Sequence, residues 1–197
     1  AEGAVTQFSE NSSAGNATLI ANGGGGIGGA VRFGNQSTGG TARIKVFTNG
    51  YLDITAHQSG VTVGSIEGSG NVFLGANNLT VGINGINTSF SGLISNSGVG
   101  GGSLAKVGNG ILSLQENDCI ADRVGLILVS GSIIKLDFTG PPDVIASLKV
   151  NGVPQPPGIY GGPMSSAPHI LPEFGDGPGT VEAGEVGGRD QPAGAGA

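Results

Sequence analysis

Tryptophan is absent, and seven Phe with two Tyr bring the aromatic share to only 5%. Large rings dominate the energetics of bulky cores, so this composition argues for a thin core instead. Charged residues make up 11%, about half the usual share for a soluble domain. Lys and Arg total eight and lie scattered, against a net charge of −6. Affinity for phosphates needs clustered cations, so no nucleic-acid partner is expected. Anionic membrane surfaces are disfavoured for the same reason. No apolar run approaches the roughly 20 residues of a membrane span, and none is expected.

Cys119 is the one cysteine, so no intrachain disulfide can form and the redox compartment stays open. It reads as a small apolar residue at a strand end. His57 and His169 are the two histidines. They are too few for a zinc site or for a base and orienter converging on a serine. His57 and Asp53, in "YLDITAHQ", read as solvated polar positions, with Asp53 on the face opposite Leu52 and Ile54. Acids are also scarce in mid-chain, where only Glu67 lies between Asp53 and Glu116. Glycosidic cleavage needs two carboxyl groups across one bond. A polysaccharide-acting enzyme is therefore the third choice among functions. No catalytic, cofactor or metal residue is assigned.

What the chain does have is glycine, 41 in 197 residues. The stretch "GGSLAKVGNGILSLQEND" (101–118) shows the pattern, in which short apolar steps are each followed by Gly or Asn-Gly. Alternation of apolar and polar residues recurs in "ATLIA" (17–21), "AVRF" (30–33), "ARIKVF" (42–47), "YLDI" (51–54) and "VTV" (61–63). It continues in "NVFL" (71–74), "LTV" (79–81), "ILSL" (111–114), "LILV" (126–129), "IIKLDF" (133–138) and "SLKV" (147–150). Helical periodicity is nearly absent. Short alternating runs bounded by Gly, Asn or Ser predict an all-β chain.

The segments also resemble one another. "SAGNATLIANG" (13–23) aligns with "STGGTARIKVFTNG" (37–50), which sets Ser37 against Ser13. "GGAVRF" (28–33) aligns with "NGYLDI" (49–54), which sets Tyr51 against Ala30. A repeat of roughly 20–25 residues predicts a parallel β-solenoid whose coils stack about 4.8 Å apart. Seven or eight coils would make a rod of about 35–40 Å. Glycine then serves the corners, where positive φ and close stacking leave little room for side chains. Residues 1–140 read as solenoid repeats. Prolines become frequent from Pro141, and Pro belongs on edges and turns. Residues 141–183 therefore read as an irregular capping module, and 184–197 as a Gly-rich tail with nothing apolar to anchor it.

"GGGGIGGA" (23–30) holds a formal Gly-x-Gly-x-x-Gly at Gly24, Gly26 and Gly29. A dinucleotide site needs a helix to follow, and "VRFGNQ" reads as a strand, so this is a glycine-rich corner. Calcium-binding β-rolls supply an Asp at each glycine corner, which these corners lack. Glu173 and Asp176 read as surface charges. The sequons at Asn11, Asn16, Asn35, Asn78 and Asn87 read as corner residues.

The stretches "VTVGSIEGSGNVFLGANNLTVG" (61–82), "FSGLIS" (90–95) and "GGSLAKVGNGILSL" (101–114) resemble the autotransporter-associated β-strand repeat of bacterial passenger domains. "LDFTG" (136–140), "LKVNGVPQPPGIYG" (148–161) and "FGDGPGTV" (174–181) resemble the cap that often closes such arrays. "ENDCIADRVG" (116–125) stands where the family has an Asn-Thr-Tyr-Ser-Gly-Gly-like turn. The resemblance implies a right-handed parallel β-helix exported to the cell surface or beyond. The start "AEGAVTQF" suits the residue left after cleavage at a small-residue site. No membrane-barrel strands follow, which suits a processed passenger or secretion by another route. The expected role is a non-enzymatic extracellular scaffold or fibre subunit that associates with itself. An adhesin that touches a surface glycan or matrix through segment 82–103 is the alternative.

Overall fold

The structure, a computed structural model, describes residues 3–98 and 100–184. Among them there is no helix, and hence none long and apolar enough to cross a membrane. The chain is a β-solenoid of about seven turns with three parallel sheets as its sides. Sheet one stacks β1 (Val5–Phe8), β3 (Ala30–Phe33), β5 (Tyr51–Asp53), β8 (Asn71–Phe73) and β11 (Leu93–Ser95). Sheet two stacks β6 (Val61–Val63), β9 (Asn78–Val81), β12 (Ser103–Lys106), β14 (Gly125–Leu128) and β17 (Ser147–Val150), with β18 (Val153–Pro154) antiparallel at its end. Sheet three stacks β2 (Thr18–Ala21), β4 (Arg43–Val46), β7 (Ser65–Gly68), β10 (Thr88–Phe90), β13 (Ile111–Leu114) and β15 (Ile133–Leu136).

Alternation decides which residues face the axis. In β4 and β15 the second and fourth residues are buried and the first and third are half-buried. Coil stacking then lines equivalent residues into columns. Leu79, Leu104, Leu126 and Leu148 are direct neighbours on sheet two, all fully buried. Each such side chain contributes roughly 1.5–3 kcal/mol of burial. Phe8 and Phe33 stack at 4.9 Å near the first coils. The thin aliphatic core expected from composition is thus a row of columns, and every strand inside the stack serves two neighbours.

Register corrects one expectation. Ser13 bridges Thr38 and not Ser37, and Leu19 pairs with Ile44, so the second coil is shifted by one position from the sequence alignment. A slip of that size would turn every side chain to the other face. Buried Ile44 and Val46 fix the register that keeps them inside. The other alignment holds, since Ala30 pairs with Tyr51.

One corner column explains much of the glycine. Gly50, Gly70 and Gly92 precede the mutually paired Tyr51, Asn71 and Leu93. A Cβ on Gly70 would lie 2.2 Å from the Gly50 carbonyl oxygen, and one on Gly92 only 1.7 Å from that of Gly70. Neither glycine has positive φ. Coil-to-coil contact, not backbone handedness, requires them.

Stacking runs past residue 140, because β17 continues the sheet-two ladder in register with β14. The chain then leaves the coil path. β16 (Asp143–Ile145) pairs with β21 (Thr180–Ala183), which runs antiparallel to β19 (Gly158–Gly161), and β19 also pairs with β20 (His169–Ile170). Phe174 bridges Ile134 and is fully buried, so a late aromatic stands on the sheet-three side. Apart from Gly184, the glycine-rich tail lies outside the described residues.

Candidate functional site

The outer face of sheet three carries a depression. Its central outward column contains Lys45 and Glu67, which pair directly between coils. Ser89 and Ser113 pair in the same way. Arg43 donates to Oε2 of Glu67 from both Nε and Nη2, and Lys45 Nζ lies 2.6 Å from Oε1. Burial pushes the Glu67 carboxyl up, but hydrogen bonds from Arg43 and Lys45, with their charges, outweigh it and hold it below its ordinary value. Glu67 is therefore an ionised, fixed acceptor.

Beside it, small side chains open a groove of about 440 Å³ lined by Phe47, Glu67, Gly68, Asn87, Thr88, Ser89 and Ser113. Gly68 has φ +108°, and a Cβ there would lie 3.2 Å from the Phe47 ring. That ring thus forms one wall over a position without a side chain. Asn87, at the end of the turn "GINGIN" (82–87), contributes to the lining as well. Asn84 Nδ2 donates to Ser65 Oγ at 3.0 Å, and Asn87 Oδ1 accepts from the Ile111 amide at 2.8 Å. These bonds tie the turn to coils on either side.

The residues singled out from sequence occupy separate places. Asp53 is half-buried and faces outward between fully buried Leu52 and Ile54. Its Oδ1 accepts from the Thr55 amide and hydroxyl, and Arg32 lies 3.8 Å away. Arg32 also donates to the Tyr51 hydroxyl at 2.6 Å.

His57 departs from the solvated reading, since only 8% of it is exposed. Its Nε2 donates to the Ser37 carbonyl at 2.7 Å and its Nδ1 accepts from the Ser59 amide. It locks adjacent corners together. Cys119 is buried, its thiol donates to the Phe90 carbonyl, and burial raises its pKa to about 11. It is a protonated core residue.

Gly24, Gly26 and Gly29 lie in a loop followed by β3, and the Asn49 side chain pins that loop through Gly24 and Gly26. Of the sequons, Asn11 and Asn16 lie in exposed turns, Asn35 is exposed and bridges His57, Asn87 lines the groove, and Asn78 begins β9. Asp176 is exposed and Glu173 half-buried.

Two buried ionisable groups were not singled out from the sequence. Lys106 takes an inward place between Val81 and Leu128 on sheet two, with 2% exposure. Its ammonium donates to the carbonyls of Val107 and Gly108 at 2.8 and 3.3 Å. Burial lowers its pKa to about 8. The unfolded chain, near 10.5, then holds more protons between those values, so stability should rise with pH across that window. The rise expected is about 3 kcal/mol. The raised Cys119 thiol acts in the opposite sense over the same window in both chains. The informative quantity is therefore the urea stability of the native chain minus that of Lys106→Met, which should rise by most of this amount between about pH 8 and pH 10. A difference that does not change with pH would refute this placement.

Asp143 is the second group. It is fully buried on β16, with Oδ2 accepting from the Ile120 amide at 3.1 Å and Oδ1 unpartnered. In both residues the signal was present in the alternation, because Lys106 shares parity with Leu104 and Asp143 with Ile145.

No family model, curated protein or solved structure matches the chain.

Proposed function

We propose that this chain is a non-enzymatic structural β-solenoid that works at the cell surface or beyond it, as a scaffold or a self-assembling fibre subunit. The observation that supports this most is the uninterrupted parallel ladder. Sheet three runs parallel from β2 to β15 and sheet two from β6 to β17, with aliphatic columns in register beneath them. Every coil is tied to the next by backbone hydrogen bonds along its sides, which makes a stiff element. The resemblance of 61–183 to passenger-domain repeats supports the extracellular placement.

The first coil supports the self-associating reading. Among the described residues β1 and β2 each have a single partner strand, and Val5 and Ile20 are 48% and 55% exposed. Open strand edges invite pairing with another chain. The carbonyls of Ala4 and Phe8 accept from coil two, so by alternation Val5 and Gln7 turn their backbone groups to the free edge. A second copy is the expected occupant.

Negative-stain microscopy and sedimentation should show filaments or oligomers that grow with concentration. Gln7→Pro should reduce them, since it removes an edge donor and no internal ladder bond. A chain that stays monomeric at every concentration would sink the fibre reading.

The second reading, adhesion to a surface glycan or matrix, is favoured by the sheet-three groove. Its wall contains Asn87, which lies within segment 82–103. Glu67 there is already neutralised by two cations, which suits it to accept hydrogen bonds and not to act as one of an acid–base pair.

A further inference from the structure

We propose that the groove on the outer face of sheet three binds a neutral oligosaccharide. This deepens the adhesive reading and rests on it. The groove runs across the strands from Phe47 in the second coil to Ser113 in the fifth. Three coil steps make that about 14 Å along the solenoid axis. A short saccharide can lie along that line with one coil beneath each portion.

The polar groups are of the kind that hydroxyls require. Asn87 has its oxygen committed to the Ile111 amide, so its Nδ2 hydrogens are directed by that bond and remain to donate. The hydroxyls of Ser89 and Ser113 make no hydrogen bond among the described residues, and each can donate and accept. Glu67 Oε1 takes one bond from Lys45 and keeps acceptor capacity for a second. Its orientation is fixed beforehand by Arg43 and Lys45, so no side-chain freedom is lost there on binding. Phe47 is 37% exposed beside these groups. Its ring face suits the C–H face of a pyranose, while the polar groups address the rim. Pockets of this size, with an apolar wall and few placed polar groups, are the usual form of small-ligand sites.

Charge selects the class. Glu67 is the one charged residue on the lining among the described residues, and its two cations are spent on it. An acidic sugar would meet a carboxylate, and the next cation along the column among the described residues, Lys135 beside Ser113, is already paired with Asp137 at 2.8 Å. A peptide would need a row of backbone partners, and the groove presents side chains instead.

The test uses the full chain on a printed array of neutral oligosaccharides and of oligosaccharides containing uronic acid, followed by titration of the best neutral binder. Two variants accompany it. Phe47→Ala removes the wall, and Ser113→Gln fills the floor without removing a hydrogen bond. The expected result is saturable binding of a neutral oligosaccharide, weakened at least tenfold by either variant, with unchanged thermal unfolding. Neutral binding that both variants leave intact would overturn the groove as its site while keeping the adhesive reading. Preference for uronic acids would overturn the ligand class. No glycan binding at all would overturn the proposal, and retention of the chain on matrix proteins would show whether the adhesive reading survives it.

Discussion

Gly92→Ala should destabilise the solenoid by about 3 kcal/mol or more, at the upper end of what overpacking costs. The added methyl would sit 1.7 Å from the Gly70 carbonyl oxygen and 2.8 Å from its carbon. Neither partner can rotate away, because both belong to backbone that pairs with the neighbouring coil. The Asn71 amide bonds to the Gly50 carbonyl, and the Ser91 amide to that of Gly68. Relief requires the fourth and fifth coils to part at that corner, which breaks ladder bonds on both sides of it. Gly24→Ala is the control. Gly24 has open space around its Cβ position and no positive φ, so the change should stay within about 0.5 kcal/mol. Urea midpoints at constant slope measure both. Equal midpoints for the two variants would mean that corners do not stack as described.

Asp143 should make the protein less stable at alkaline than at acid pH, against the direction that paired carboxylates give. Burial is the main cause that lifts its pKa from 3.8 to about 7. The Ile120 amide opposes this, and Asp118 and Asp122 add to it. Cys119, also close by, is neutral. The folded chain thus holds a proton that the unfolded chain has released. Its contribution is fully present below about pH 4, shrinks as pH rises, and is gone above about pH 7. The difference amounts to about 4 kcal/mol. Glu67 and Asp137, both lowered by Lys or Arg partners, act in the opposite sense. The informative quantity is therefore the native chain minus Asp143→Asn. That difference should favour the native chain progressively less between pH 4.5 and pH 8. A difference that does not change with pH would show that Asp143 is not buried in the fold.

Much of the site lay beyond reach of the sequence for a definite reason. Glu67 was visible as an isolated acid in mid-chain. Its partners Arg43 and Lys45 were visible as scattered cations. Nothing local links them, because both cations stand on β4 and the acid on β7, a full coil later. Phe47 and Ser113 face one groove although they belong to the second and the fifth coil. The missing strands have a similar explanation. "SIEG" and "TSF" form β7 and β10 with little alternation of their own, since the ladders on both sides supply what their side chains do not.

The sequence by itself determined that the chain is all-β, that it repeats at a short period, and that Val, Ile and Leu share one face while Gly marks the corners. These follow from the two-residue period of a strand and from the few backbone shapes a corner permits, both local properties. Only the tertiary structure decided the pairing of Ser13 with Thr38, the burial of His57, Lys106 and Asp143, and the meeting of Phe47, Glu67, Asn87, Ser89 and Ser113. Coil lengths vary, so a residue's neighbours above and below depend on how much chain each intervening corner consumes. That sum is settled by packing the whole stack at once.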